Sequence, residues 1–394
     1  MTGTPPRVPW IIEAGPLWEN QYTGISNVTF EIVRRAIADT DAEVHILAVD
    51  RVVPRDLVDE CIADRSGKAL QEASSKLPRA RKINEIMRKQ GPVNGTVGLY
   101  LNTRPVEKLF DWEAMMLYDF SPLLTPECHT AHTVEYHAKG VSQQIDACNH
   151  TFCISEATAR DLGWIFNVPR DKITVSLLGH SADEVAHKAA VDLIGASEVE
   201  PFLLMLGTIE PRKNIGLVLE WLSRHPDVLD SHRIVFAGRQ GWGPQLHSQI
   251  KRWGLEDAVH SERIIYMNYI SEAQKNALLA GASALLYPSL FEGFGLPALE
   301  AMGFNLPVLS TVSTSLPEVL GDTGYYFDPY SSDSLDAAFR SYMSDRQSGK
   351  LKQVVKDARA RAKTFDYDET YNLVRDRMAQ ATRSIVQNLE QAKT

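Results

Sequence analysis

Short apolar runs separated by amphipathic stretches recur along this chain, and that alternation restricts it to few architectures. Val8–Ile12 (VPWII), Val44–Val49 (VHILAV), Met115–Tyr118, Thr151–Ile154 and Ile173–Leu178 read as buried strands. Between them, Gly24–Ala38 carries Val28, Ile32 and Ala36 on one helical face, and a second helix lies around Ala138–Ala147. Ala157–Phe166 is a third, opened by Ser155 as its cap. A polar, alanine-rich stretch from His180 to Glu200 reads as an interdomain linker, after which the pattern restarts. Pro201–Leu206, Ile234–Ala237, Ile264–Met267, Ala284–Tyr287 and Val308–Ser310 read as strands. Ile215–Leu222, Ser271–Ala282, a start at Pro297–Met302 and the last segment, Tyr367–Gln391, read as helices. Strand, helix and strand at this spacing mean a parallel sheet covered on both faces. The chain is therefore expected to be α/β, with two doubly wound domains in tandem and ligands bound outside the carboxyl ends of the strands.

Composition removes other classes. With 394 residues, 44% hydrophobic and 23% charged, the chain is ordinary for a soluble globular protein of two domains. Its net charge of −9 argues against general nucleic-acid binding, which needs a basic face. Cys61, Cys128, Cys148 and Cys153 form no CxxC pair, so buried thiols in a reducing cytoplasm are expected rather than a disulfide framework. Met1–Pro9 lacks the apolar core of a signal peptide, and no stretch reaches the ~18 apolar residues of a membrane span. His129, His132 and His137 lack the companions of a zinc site, so no metal is expected. Lys76–Lys89 holds six basic residues against Glu85, with Ile83, Ile86 and Met87 on one helical side; it reads as a contact with an anionic membrane surface or as a solvated helix.

The densest chemistry lies in Tyr287–Pro307, YPSLFEGFGLPALEAMGFNLP. A strand ends at Tyr287, a glycine-containing loop follows, and a helix opens near Pro297. Backbone N–H groups and the helix dipole at such a point attract anions, phosphate above all. Glu292 and Glu300 offer two carboxylates that suit hydrogen bonds from sugar hydroxyls. Arg212 and Lys213 follow another strand end, at a helix start where cations oppose the dipole; a bound diphosphate would compensate them.

These residues resemble the retaining glycosyltransferases of family four, which have the GT-B fold. Glu292-Gly293-Phe294-Gly295-Leu296-Pro297, Glu300-Ala301-Met302 and Leu306-Pro307-Val308 are similar to the family's paired-glutamate segment, departing from it at Phe304-Asn305. Leu206-Gly207-Thr208-Ile209-Glu210-Pro211-Arg212-Lys213-Asn214 looks like its diphosphate-binding turn, and Ser315-Leu316-Pro317-Glu318 like its late Gly-x-Pro-Glu segment. The first half matches less closely. Tyr22–Val28 keeps one glycine, Gly24, of a loop that approaches the donor phosphates and the acceptor in the family. Tyr118 stands where relatives carry a histidine that contacts the transferred sugar, and Asp119 follows it.

The resemblance implies an acceptor-binding Rossmann-like domain over 1–185, a nucleotide-sugar domain over 198–365, and a helix over 366–394 that packs back on the first. It implies transfer of a hexosyl group with retention and without a metal or other cofactor. Glu292 would hold hydroxyls of the donor sugar and Glu300 those of the ribose. Lys213, with Arg212 and the backbone around Phe294, Gly295 and Leu296, would hold the diphosphate; Gly24, Tyr118 and Asp119 complete the expected site. The similarity to bacterial mannosyltransferases of polysaccharide assembly favours GDP-mannose over UDP-sugars, a glycan or lipid-linked glycan as acceptor, and a place in the cytoplasm or at the inner membrane face. A sugar-nucleotide epimerase, a phosphorylase and a non-catalytic partner in a glycan-assembly complex are the alternatives.

Overall fold

The computed structural model describes residues 7–20, 22, 24–89, 93–105, 107–180 and 200–391. Most of the linker expected at 180–200 lies outside these, as does Thr23 of the expected glycine loop. Two compact units are present. The first takes its described residues from Met1–Tyr118, Ala138–Gly179 and Asp366–Thr394, the second from Asp119–His137 and His180–Phe365.

Among the described residues of the first unit, seven strands form one sheet: β1 (Trp10–Glu13), β2 (Val44–Ala48), β3 (Arg51–Val53), β4 (Val97–Tyr100), β5 (Trp112–Leu117), β6 (His150–Cys153) and β7 (Ile173–Val175). Their order is β3-β2-β1-β4-β5-β6-β7, and only β3 runs antiparallel, joined to β2 by a two-residue hairpin. Ile11, Ile12, Leu99 and Phe152 are buried on the sheet, and Ile32 and Val33 of the helix Ile25–Ala38 are buried as well. Burial of each such side chain contributes about 1.5–3 kcal/mol. The expected Ser155 cap is present, its side chain accepting from Thr158 N at 3.0 Å. The helix expected at 138–147 starts earlier, spanning Ala131–Asp146. The terminal helix Tyr367–Gln391 belongs to this unit. It buries Val374 and Met378, and Thr382 accepts from Trp10 Nε1 at 3.0 Å.

Among its described residues the second unit has six parallel strands: β8 (Phe202–Leu206), β9 (Arg233–Ala237), β10 (Ile264–Met267), β11 (Ala284–Tyr287), β12 (Val308–Thr311) and β13 (Tyr325–Phe327), ordered β10-β9-β8-β11-β12-β13. Its core joins Trp221, Phe236, Phe339 and Tyr342, all essentially inaccessible, and Trp221 Nε1 donates to Asp336 at 3.1 Å. Ser271 forms a reciprocal cap with Gln274 at the start of Glu272–Gly281. The helices Ser332–Ser348 and Leu351–Ala362, and strands β3, β4 and β13, go beyond the sequence-based expectations. Residues 119–137, expected with the first domain, group with the second unit, where Trp242 Nε1 donates to Cys128 O at 2.7 Å.

Both sheets reverse their winding once. The chain lays strands outward from β1 to β2, then returns to place β4 on the other side. It does the same with β8, β9 and then β11. The carboxyl ends of β1 and β4, and of β8 and β11, are therefore the two crevices where this topology places ligands.

Candidate functional site

The β8/β11 crevice carries the charged residues singled out above. β8 ends at Leu206, and Gly207 turns the chain with φ +131°. A Cβ there would lie in ordinary contact with Lys213, so it is the backbone conformation rather than space that favours glycine. The short 3-10 turn Pro211–Lys213 follows, and Asn214, in the left-handed region, donates to the carbonyls of Pro288 and Pro329 at 3.2 and 2.7 Å. On the neighbouring strand, Tyr287 ends β11 and the loop runs to Gly295 (φ +101°), which caps Leu296–Gly303. A side chain at 295 would displace the end of Leu316, and the backbone conformation itself favours glycine. The Glu292 main chain is fixed from behind. Its N–H donates to Thr314 Oγ1 at 2.9 Å, and its carbonyl accepts from Thr314 at 2.7 Å and Ser315 at 2.9 Å.

The two loops meet in a buried ion cluster. Lys213 Nζ donates to Glu292 Oε1 at 2.7 Å and to Tyr287 OH at 3.1 Å. Arg212 reaches Glu292 Oε2 at 2.9 Å, Glu210 Oε1 at 2.7 Å and Phe291 O at 2.7 Å. Burial alone would raise the Glu292 pKa, but Arg212 and then Lys213 hold it at about 2. Burial lowers the Lys213 pKa against the pull of Glu292. Two cations and two carboxylates thus balance at a strand edge, and the cations can exchange a carboxylate for an incoming anion. A hollow beside them is lined by Gly207, Thr208, Ile209, Lys213, Tyr287 and Ser289.

Of the expected residues, the structure brings Arg212, Lys213 and Glu292 together. Phe294 is buried, its ring edge-on to Phe365 at 5.8 Å, and its carbonyl accepts from Ser315; Gly295 and Leu296 open the helix that follows. Glu300 lies on that helix in a separate ion pair, accepting from Lys275 at 2.8 Å, while Lys275 also pairs with Glu272 at 2.9 Å. Glu210 and Lys275 were missed from sequence. Glu210 was legible in the quoted turn as the acidic neighbour of the cations, whereas nothing local marks Lys275.

Gly24 and Tyr118 belong to the first unit. Gly24 (φ +46°) precedes the helix Ile25–Ala38, with open space where a Cβ would be. Tyr118 OH donates to Leu101 O at 2.9 Å, so the hydroxyl is engaged by backbone. Asp119 accepts from Ser121 N at 2.9 Å and Ser121 Oγ at 2.8 Å, holding the turn before Ser121–Leu124. His137 is bonded to Thr133 O at 2.8 Å, and among the described residues no three His, Cys, Asp or Glu side chains gather as a metal group. All four cysteines are buried and unpaired. In the basic segment, Lys76, Arg79, Arg81 and Lys82 are exposed, but Ile83 and Met87 are buried in the unit. The apolar side of that helix is used by the fold, and its exposed charges are the part that faces solvent. The side chains of Arg88 and Lys89 lie outside the described residues. Among the described residues no helix is long and apolar enough to cross a membrane.

Residues 193–361 match the family described as glycosyl transferases group 1. The O-antigen chain mannosyltransferase B of Escherichia coli is 30% identical over 58% of this chain and 60% of its own length. The O-antigen chain mannosyltransferase RfbU of Salmonella typhimurium is 25% identical over 63% and 65%. The chain thus spans less than two thirds of either relative. Among solved structures, Anabaena HepE in complex with UDP and glucose superposes with a TM-score of 0.63 at 15% identity, over 94% of this chain and all of that one. Residues 193–361 are thus similar to the glycosyl transferases group 1 family, in a chain whose fold is that of the GT-B structures.

Proposed function

We propose that the protein transfers a mannosyl group from a nucleotide-diphosphate sugar to a glycan or lipid-linked glycan. The observation that carries this reading is the buried cluster of Arg212 and Lys213 on Glu292 at the β8/β11 crevice. A donor diphosphate would take the two cations from Glu292 and release that carboxylate toward hydroxyls of the donor sugar. Cations held ready in a water-poor site stabilise the charge that develops on the leaving diphosphate. The bond from the anomeric carbon to the β-phosphate oxygen breaks. The acceptor oxygen bonds to the same carbon from the same face, and its proton passes to the departing phosphate oxygen. This retains configuration and calls on no metal. Glu300, oriented by Lys275, would accept from the ribose hydroxyls. The two relatives named as O-antigen mannosyltransferases support mannose as the sugar; GDP-mannose is the donor we propose with it. Work at the inner membrane face is part of the proposal, and only the exposed charges of Lys76, Arg79, Arg81 and Lys82 would serve it.

A thermal-shift screen of GDP-mannose, UDP-glucose, ADP-glucose and dTDP-glucose, with and without EDTA, tests the reading. A bound donor raises the melting temperature by mass action. GDP-mannose is expected to give the largest rise, undiminished by EDTA. No rise with any nucleotide sugar would overturn the assignment.

A further inference from the structure

Lys213 has a second partner besides Glu292, and the mechanism above gives it no part. Tyr287 closes β11, where it pairs with Ser310 of β12, so the sheet fixes its backbone. It is 1% exposed and follows three buried apolar residues, Ala284, Leu285 and Leu286. Its hydroxyl oxygen accepts from Lys213 Nζ at 3.1 Å, and the same ammonium lies 4.8 Å from the centre of its ring. The lysine is therefore held by the ring as well as by the hydroxyl. A Cβ at Gly295 would come 3.9 Å from Tyr287 Cε1, so the loop that carries Glu292 packs closely on the same side chain. Burial, and after it Glu292, raises the Tyr287 pKa well above its ordinary value, so the hydroxyl stays neutral.

The two partners of Lys213 respond differently to an incoming diphosphate. Glu292, at 2.7 Å, is an anion, and a phosphate oxygen both competes for its ammonium and repels it. Tyr287 is neutral. Its ring face and hydroxyl oxygen attract a cation without carrying the charge that would repel phosphate. A lysine ammonium has three donors on a flexible four-carbon stem. It can keep Tyr287 while it exchanges Glu292 for a phosphate oxygen, and without that second hold the stem would be free to swing. We propose that Tyr287 is the positioning residue of Lys213, keeping its ammonium at the β8/β11 crevice while the donor diphosphate takes the place of Glu292. This deepens the transferase reading and rests on it.

A double-mutant cycle separates positioning from packing. The probe is GDP or UDP, whichever the wild-type chain binds more tightly, titrated by calorimetry into the full chain. Tyr287→Leu removes ring and hydroxyl, whereas Tyr287→Phe keeps the ring. Beside an intact Lys213, Tyr287→Leu is expected to weaken binding about tenfold and Tyr287→Phe about threefold. Both substitutions are then repeated beside Lys213→Ala. With the lysine gone a positioning residue has nothing to hold, and both losses are expected to vanish. A tyrosine that merely fills the core would weaken binding by the same factor in either background. Melting curves check each variant, and if Tyr287→Leu is unfolded, Tyr287→Phe decides. Equal losses in the two backgrounds, or wild-type affinity in the folded Tyr287 variants, would overturn the proposal. Failure of the wild-type chain to bind either nucleotide would fell the transferase reading itself, so the two failures are distinguishable.

Discussion

The two units reach similar topologies and furnish their crevices in opposite ways. At β8/β11 the strand ends deliver Arg212, Lys213, Glu292 and Glu210 into one buried cluster. At β1/β4 they deliver a single carboxylate, Glu13, held by backbone N–H groups. The first arrangement brings two cations together at a strand edge, and the second holds one carboxylate on backbone donors. The first unit also owns a buried ion pair, Arg104 with Glu113, both side chains fully inaccessible. Glu113 sits near the amino end of β5 and further accepts from Leu109 N at 2.6 Å and Phe110 N at 2.8 Å. That pair is bonded within its own unit, with Arg104 Nε left unpartnered, and lies far along the strand from the ligand-binding edge. Burial and ion pairing therefore do not mark a site by themselves. Position on the carboxyl edge, with partners that can be exchanged, does.

The largest expected effect tests that distinction. Arg104→Met leaves Glu113 buried without its cation. Loss of one partner from such a pair costs about 3–5 kcal/mol. Urea unfolding should show that loss, with nucleotide affinity retained in whatever fraction is folded. A stability near wild type would break the contrast between a structural and an exchangeable pair.

A second comparison uses pH. The folded Glu292 pKa of about 2 lies below its unfolded value, so its charge stabilises the fold above about pH 4.5. That contribution disappears as the pH falls toward 2. Glu292→Gln lacks it throughout and leaves both cations with Glu210. Wild type should exceed Glu292→Gln by about 3 kcal/mol at pH 7. The gap should close on acidification toward pH 2. A gap independent of pH would show that the ion cluster is not the cause. At pH 7 the Gln variant should also turn over more slowly without weaker nucleoside diphosphate binding, because its cations are less neutralised.

Legibility differed between the same two regions. The β8/β11 loops were readable because Arg212-Lys213 and Glu292-Gly293-Phe294-Gly295 place charge and glycine beside strand ends in contiguous segments. Lys275 reaches Glu300 from a different helix, a pairing made only by packing. In the first unit, β4 escaped because Val97-Gly98-Leu99-Tyr100 contains a glycine that weakens a strand signal. The structure explains it: a Cβ at 98 would meet the Phe110 ring at 2.4 Å. Glu13 escaped because a carboxylate ending an apolar strand looks like its polar border. Its two N–H donors come from residues 2 and 36 positions away.

Smaller effects sharpen the comparison. Lys275→Met frees Glu300 from its cation and should weaken nucleoside diphosphate binding about tenfold, as should Glu300→Gln. The double variant should cost little more than either single one. Additive losses would separate Lys275 from the ribose contact. Smallest of all, Tyr118→Phe removes one hydrogen bond to Leu101 O and should cost about 1 kcal/mol of stability. A large drop in turnover with unchanged stability would instead restore Tyr118 to a part in the chemistry.

The central claim is that the cations of the β8/β11 crevice receive the donor diphosphate. Calorimetric titration of GDP and UDP into wild type and Lys213→Ala tests it most directly. The expected result is binding of at least one nucleotide by wild type and a loss of about tenfold or more in the folded variant, as for one charge-assisted contact removed. Equal affinity in the two proteins would contradict the claim and place the diphosphate elsewhere.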